Sequence, residues 1–294
     1  MVQRITSQML LHSAQLNMQS SKATLAALQN QASSQKNITK PSDDPAGAAE
    51  SMRIRSDQRA LTQYGTNITD GLAWLSTADS ALSSATDTLQ AVRDLTVQGA
   101  NSGTLNATSR EAIATQLDSL KSQLLAEANT KYAGRSIFAG NSDAGEAFSA
   151  AYGYTGVAGS AVERRISDTT TVRVDVDGAT AFGTGATSAF ALIDRIAADL
   201  RAGVDVSAHI AGVDSALSSI LGEQSRVGTR YNQLEAGKEL NMTQFGSLES
   251  QRADVEDVDL SKVILELKSQ EVAYQTALAV TARALQPTLM SFLS

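Results

Sequence analysis

The side chains best suited to acid–base or metal chemistry are few and lie far apart in the sequence. The chain has two histidines, His12 and His209, and neither belongs to the His-Glu-x-x-His motif that binds catalytic zinc. From the local sequence, no carboxylate arrangement is expected around either ring. The absence of cysteine excludes disulfides and thiolate chemistry. We therefore predict a packing or surface role for both histidines.

Two acidic pairs and one glycine-rich segment are the remaining candidates for a cation or phosphate site. Asp43-Asp44 and Asp175/Asp177 stand where turns or helix starts are expected, and carboxylates there usually accept backbone N–H groups. Residues 183–188 lack the lysine of a phosphate-binding loop and a clear preceding parallel strand. The sequence therefore predicts no enzyme, no cofactor and no metal site.

Net charge argues against nucleic acid as a ligand. The chain carries −7 at pH 7 with a pI of about 4.9, and its densest basic cluster is Arg53, Arg55 and Arg59. The first residues lack the apolar run of a cleavable signal, and no segment approaches the roughly 20 apolar residues that a membrane span needs. By ordinary routes this composition predicts a cytosolic protein. A dedicated export machine that reads an unfolded N-terminus would overturn that expectation.

The composition favours thin helical packing. Aromatic residues make up 4% of the chain, although hydrophobic residues reach 42%. Thick cores usually contain more large aromatic side chains. The three prolines, Pro41, Pro45 and Pro287, leave most of the length free to form helix. We predict a mainly α fold with an elongated antiparallel helical stem and a small β-rich insert.

Both ends of the chain carry apolar residues at alternating steps of three and four, which draws a narrow stripe along a helix. A narrow stripe suits a partner helix better than a broad globular core. We therefore predict that residues 1–41 and 256–294 form a terminal pair of coiled-coil segments whose stripes are assembly surfaces. The predicted interface residues are Ile5, Met9, Leu16, Ile264, Leu267, Tyr274, Leu278, Leu285 and Leu289.

The predicted stem domain combines residues 42–140 with residues 189–255. Residues 42–45 are typical of a helix start, because their side-chain oxygens can accept free backbone N–H groups and proline is tolerated in the first turn. The helix should reach about Gln98. Its predicted core stripe is Leu75, Ala78, Leu82, Ala85, Leu89, Val92 and Thr96.

Three further helices complete the predicted stem. Thr108 fits the first position of a capping box, which would open a helix that runs to about Lys131. A short helix is expected from about Ala189 to near Gly203, and a long one from Ser207.

The helical period disappears in residues 141–188, which we predict to be a small β-rich insert domain packed on the stem. Residues 171–176 alternate apolar and polar side chains as a strand does, and residues 162–166 are the expected partner strand. Asp177-Gly178 is typical of a hairpin turn.

Several segments at both ends of the chain resemble the bacterial flagellin superfamily, and residues 128–140 resemble its hook-associated protein 3 branch more narrowly. The C-terminal residues 257–260, 273–281 and 286–289 also resemble that branch. The motif residues are Pro41, Ser42, Asp43, Asp44 and Pro45 near the start, and Gly134, Arg135, Phe138 and Gly140 at the exit into the insert.

The resemblance implies an extracellular structural component of the bacterial flagellum at the hook–filament junction. It implies hook-associated protein 1, flagellin and identical subunits in a ring as partners, with no nucleic acid and no membrane insertion. It also implies export in an unfolded state through the flagellar type III system without a cleavable signal. Before assembly, a cytosolic export chaperone would bind the C-terminal helix.

Two alternative functions remain open at this point. Flagellin itself shares the terminal stripes and the missing cysteines, and a coiled-coil adaptor would share the long helices. The adaptor would not explain the insert or the motif at 134–140.

We expect the terminal segments to be largely disordered in the free monomer and to pair on assembly. The alternative is that they already pack within one monomer as an ordinary bundle.

Overall fold

The computed structural model describes residues 2–101, 106–157 and 160–284, and these are mostly helical. The predicted mainly α fold with a small β-containing insert is confirmed, and its strands are few and short. The helices are α1 (Val2–Ser34), α2 (Pro45–Ala100), α3 (Ala107–Ala128), α4 (Gly178–Phe182), α5 (Ala189–Ala202), α6 (Ile210–Glu256) and α7 (Leu260–Ala284). The strands are β1 (Lys131–Tyr132), β2 (Arg135–Ser136), β3 (Glu163–Arg165) and β4 (Thr171–Arg173).

The chain divides into two compact units. The terminal unit comprises Met1–Arg59 and Phe245–Ser294, and the central unit comprises Ala60–Gln244. Helices α2 and α6 contribute residues to both units. A separate insert domain, and the domain limits at residues 41, 140, 188 and 255, stay predictions.

The core of the central unit is built on the stripe predicted for α2. All seven stripe residues are buried, from Leu75 to Thr96. Alanines alternate with leucines along this stripe, so neighbouring helices can approach closely without leaving cavities. The hydroxyl of the buried Thr96 donates to the backbone oxygen of Val92 at 2.7 Å, which satisfies its polarity.

The predicted start of α3 is wrong by two residues. Asn106, and not Thr108, caps this helix, because its Oδ1 accepts the backbone N–H of Ser109 at 2.8 Å. Asparagine is as good an N-cap as threonine, so the earlier residue takes the position. The helix also ends at Ala128, before the predicted Lys131, where the chain enters the β1–β2 hairpin.

The predicted pairing of residues 162–166 with residues 171–176 is confirmed, but both strands are shorter than predicted and the second ends at Arg173. Strands β3 and β4 are antiparallel, with Arg164 opposite Val172. The predicted hairpin turn at Asp177-Gly178 is wrong, because the Asp177 carboxylate accepts the N–H of Ala179 and caps α4. Aspartate at this position favours a helix start over a turn between strands.

Six aromatic residues between positions 138 and 190 form one cluster in the central unit. Phe148 lies at its centre, and its ring centroid is 5.2 Å from that of Phe190, 5.3 Å from Tyr154 and 5.8 Å from Phe182. Phe138 packs edge-on against Phe182 at 5.2 Å. This cluster gives the short strands and turns around it an apolar core.

Truncation of the central ring tests the importance of this cluster. Phe148→Ala should lower the free energy of unfolding by about 3–5 kcal/mol, because it leaves a cavity among packed rings. Urea denaturation followed by circular dichroism measures the loss. Phe245→Ala is the control, because Phe245 is 38% exposed, and it should change stability by less than about 1 kcal/mol. Equal losses in the two variants would contradict the assignment.

Candidate functional site

Helices α1 and α7 pack against each other in the terminal unit. The face of α1 that becomes partly covered repeats at steps of four and three, as does the covered face of α7, which is coiled-coil spacing. The covered residues are Ala14, Met18, Ser21, Leu25, Leu28 and Ala32 on α1, and Val263, Leu267, Gln270, Tyr274, Ala277 and Thr281 on α7. Val263 alone in this set is fully buried, so the pair is thin.

The predicted interface residues divide between two surfaces. Leu267 and Tyr274 lie on the covered face. The exposed group consists of Met9 (69% exposed), Leu16 (53%), Ile264 (47%) and Leu278 (40%). The side chain of Ile5, and the predicted contacts of Leu285 and Leu289, lie outside the described residues.

Apolar side chains therefore occur on the outer surface of the helical pair as well as inside it. At about 100° per residue, Leu16 lies about 200° around α1 from Ala14. On α7, Leu265 and Val272 lie about 180–200° from Val263 and are 70% and 62% exposed. We call the exposed residues of these two outward faces, Met9 and Leu16 on α1 and Leu265 and Val272 on α7, together the outer stripe. The covered stripe of α1 was missed in the sequence because its small and polar members weaken the pattern.

The start of α2 is built as residues 42–45 predict. The Asp44 carboxylate accepts the backbone N–H groups of Ala46 and Gly47 at 3.1 and 3.0 Å, and Pro45 is the first helical residue. Asp43 accepts the hydroxyl of Thr39 at 2.8 Å, and this hydrogen bond holds the pKa of its carboxyl below the ordinary value. These acidic residues stabilise a helix start and a turn.

Glu256 is a residue of the terminal unit whose role the sequence did not indicate. Its side chain is 3% exposed and accepts hydrogen bonds from Lys36 at 2.9 Å, from two nitrogens of Arg55 at 2.8 Å and from Arg252 at 3.1 Å. The Ser51 hydroxyl also donates to it. The hydrogen bonds from Arg55, and then those from Ser51 and Lys36, hold the pKa of Glu256 far below its ordinary value.

The Glu256 cluster joins the end of α1 to α2 and α6. The backbone adds to it, since the N–H of Asn37 donates to the Glu256 oxygen at 2.7 Å and the N–H of Val258 donates to the Gln35 oxygen at 3.2 Å. A glutamate at the C-terminal end of a helix faces the negative end of the helix dipole. That unfavourable position was the one available sign that cations must lie near it.

The residues of the 134–140 motif shape the entry into the insert. Ala133 and Gly134 both have positive φ, which forms the tight turn between β1 and β2. Phe138 is fully buried, and Arg135 donates to Asn141 at 2.7 Å. At Gly140, with φ of 58°, a Cβ atom would lie 2.6 Å from the Ser160 hydroxyl, so a side chain there is strained.

Most groups considered for chemistry have structural partners, and His12 is exposed. His209 lies 2.7 Å from the Asp199 carboxylate, so the expectation that no carboxylate lies near a histidine is wrong there. Asp175 is fully buried and pairs with Arg173 at 2.7 Å. In the described ranges, no group of three or more His, Cys, Asp or Glu residues could hold a metal ion. Across those same ranges, no helix has the length and apolar character to cross a membrane.

The Glu256 cluster makes a prediction with a defined pH dependence. Glu256→Gln should lower the free energy of opening of the terminal unit by about 2–3 kcal/mol, because three cations then face a neutral group. A carboxyl group whose pKa is lowered by folding stabilises the folded state at pH values above its pKa in the unfolded chain. This stabilisation is lost as the pH falls. The difference between variant and parent should therefore shrink below about pH 4. Hydrogen exchange of the amides at 50–58 measures it.

The control is Glu249→Gln, which removes an ion pair of Arg252 at an exposed position. That variant should lose less than about 1 kcal/mol. A Glu256→Gln loss as small as that of the control, or one independent of pH, would contradict the role assigned to the cluster.

Comparisons with known proteins agree with the helical regions described above. The family model of the bacterial flagellin N-terminal helical region matches residues 5–143, and that of the bacterial flagellin C-terminal helical region matches residues 210–293. Together these matches span well over half of the chain.

Relatives of known name extend the similarity along nearly the whole chain. Flagellar hook-associated protein 3 of Salmonella typhimurium is 26% identical over 300 residues, which covers 93% of this chain and 94% of that protein. Flagellin of Bacillus subtilis is 28% identical over 282 residues, which covers 87% of this chain and 91% of that protein.

A solved structure shares the fold. Hook-associated protein-3 of Legionella pneumophila superposes with a TM-score of 0.61 at 16% identity, covering 69% of this chain and 98% of that one. The resemblance to the hook-associated protein 3 branch, predicted from residues 128–140 and the C-terminal motifs, is confirmed by these similarities. The chain belongs to the bacterial flagellin superfamily.

Proposed function

We propose that this chain is a structural subunit of the bacterial flagellum that joins the hook to the filament. The observation that carries the proposal is the outer stripe, because Met9, Leu16, Leu265 and Val272 are large apolar side chains left exposed on the helical pair. Exposed apolar surface of this kind marks an interaction site. The near full-length similarity to a protein named hook-associated protein 3 supports the junction over other flagellar positions.

Neighbouring subunits would cover the outer stripe. Complete burial of one valine or leucine side chain contributes about 1.5–3 kcal/mol. Each subunit of a ring makes the same contact, so the contributions add around the ring. The remaining predicted interface residues, among them Ile264 and Leu278, would take part in the same contacts. No catalytic step belongs to this proposal.

The partners follow from the position in the flagellum. Hook-associated protein 1 would contact the subunit on the hook side, flagellin on the filament side, and identical subunits around the ring. Export as an unfolded chain through the flagellar type III system suits a protein without disulfides. Before assembly, α7 would present its apolar face to a cytosolic export chaperone by a helix-in-groove contact.

The terminal helices would become ordered as assembly proceeds. Most residues on the pairing face between α1 and α7 are only half-buried. Several of them are small or polar, such as Ser21, Gln270 and Thr281. Such a face contributes little packing energy, and isolated helices are marginal in water without tertiary contacts. The alternative, a monomer whose ends are already packed as a stable bundle, requires full protection of both helices in the free chain.

Flagellin is the second candidate function, and a specific observation favours keeping it: flagellin of Bacillus subtilis is 28% identical to this chain. Copy number separates the two functions. A filament subunit is the dominant protein in sheared flagella, whereas a junction subunit is scarce. Quantitative mass spectrometry of a sheared preparation therefore distinguishes them.

Substitution in the outer stripe tests the proposed assembly. Val272→Asp should leave the fold intact but abolish filament attachment, because a charge would have to be buried between subunits. Even the lost apolar contact alone should weaken association about tenfold to a hundredfold. The measurement is motility, and filament attachment seen by electron microscopy, in cells whose sole copy is the variant.

Ser250→Asp is the matched control, since it adds the same charge at an exposed position of α6 and should preserve motility. Circular dichroism of both purified variants confirms that each is folded. Normal filament attachment in the Val272→Asp cells would remove the outer stripe from the account.

A further inference from the structure

A hairpin of the insert lies across two helices of the central unit. We call residues 162–176, which include β3 and β4, the strap. On α2, the Asn67 side-chain amide donates to the backbone oxygen of Arg165 at 2.9 Å. The Arg164 guanidinium donates to the Asp70 carboxylate at 2.7 Å. The strap is therefore fastened to α2 by both backbone and side-chain contacts.

Arg164 also covers the one tryptophan of the chain. Its guanidinium carbon lies 5.9 Å from the ring centre of Trp74, which is 2% exposed. A cation over a shielded indole is attracted to the face of the ring. Trp74 in turn meets Tyr132 edge-on at 5.6 Å. The buried indole is thus enclosed between the strap and the β1–β2 hairpin.

The strap is fastened to α6 at its other end. Arg230 donates to the backbone oxygen of Asp175 at 2.8 Å. Asp175 is itself held in place, because its carboxylate pairs with Arg173 and accepts the N–H of Val162 at 2.8 Å. The contacts of the strap with Asn67 and Asp70 on α2 and with Arg230 on α6 therefore join the two helices.

Two glycines leave room for the strap on the helices. A Cβ atom at Gly71 of α2 would lie 3.1 Å from Val174 and 2.9 Å from Leu234. A Cβ atom at Gly237 of α6 would lie 2.9 Å from the end of the Ile166 side chain. Glycine in a helix interior is destabilising relative to alanine. Close approach of the strap accounts for glycine at position 237, and close approach of both the strap and α6 accounts for glycine at position 71.

The strap lies where the buried core of the central unit ends. Ile68 on α2 and Leu234 on α6 are fully buried. No described residue in 60–67 or in 235–244 is buried. The segments of α2 and α6 just beyond this layer open easily, because few apolar contacts hold them. The contacts of the strap, at Asn67, Asp70, Arg230 and Gly237, are placed at this last layer.

We propose that the strap is an end clamp, a conformational device that stops fraying of α2 and α6 from spreading into the core. With the strap seated, the last layer opens only with the whole central unit. With the strap released, amides at 68–75 and 228–237 exchange through a separate local opening. This inference does not depend on the proposed function.

The test is hydrogen exchange by mass spectrometry on the full chain carrying Arg164→Met or, more mildly, Asn67→Ala. We expect exchange at 68–75 and 228–237 to become about tenfold faster with Arg164→Met, the loss of one shielded cation contact and one ion pair. Exchange at 85–96 and 113–124 should remain unchanged. Fluorescence of the single tryptophan should shift to longer wavelength, because opening admits water to Trp74.

Gly237→Leu places a side chain against Ile166 and should give the same local pattern. Gly222→Ala and Gly228→Ala are the matched controls, since a Cβ atom at either position meets no atom within 4 Å. These controls should keep or increase protection. Faster exchange across the whole central unit, or unchanged exchange at 68–75, would overturn the clamp. Asn67→Ala decides the matter if Arg164→Met does not fold.

Discussion

Two paired helices bury the apolar residues that lie between them but cannot bury those on their outward faces. This constraint applies to the terminal unit. Helix α7 turns Val263 and Tyr274 toward α1 while Leu265 and Val272 face outward. Within one chain, α1 covers the first face and leaves the second exposed. We propose that helices of neighbouring subunits supply the missing cover, because apolar side chains contribute to stability only when they leave water. In this proposal, self-assembly depends on the incomplete burial of apolar residues more than on any specific polar contact.

The two units are stabilised by different means. The central unit buries a continuous stripe on α2, gathers its aromatic rings around Phe148, and has the strap across α2 and α6 at its last buried layer. The terminal unit has a thin pairing face, with Glu256 and its three cationic partners as its main buried polar cluster in the described residues. A unit that is complete by itself suits a rigid subunit body. A unit with a weak interior suits ordering on contact with neighbours.

Local patterns in the sequence predicted the elements well where spacing or capping decided them. The α2 stripe and the cap at Asp44 needed no tertiary information, because both follow from residues within one or two turns. Glu256 could not be predicted, since its partners come from Lys36, Arg55 and Arg252 on separate segments. Which apolar residues face a partner within the chain was also hidden. A stripe with a period of 3.5 drifts around a helix of 3.6 residues per turn, so residues on both flanks share one pattern.

The central claim is that α1 and α7 need neighbouring subunits to be stable. Hydrogen exchange on the free chain and on the assembled junction tests it most directly, with amides of both helices followed separately from those of the α2 core. The account predicts rapid exchange in α1 and α7 of the free chain, slow exchange in the same helices after assembly, and slow exchange in the α2 core throughout. Slow exchange of α1 and α7 in the free chain, equal to that in the assembly, would contradict it.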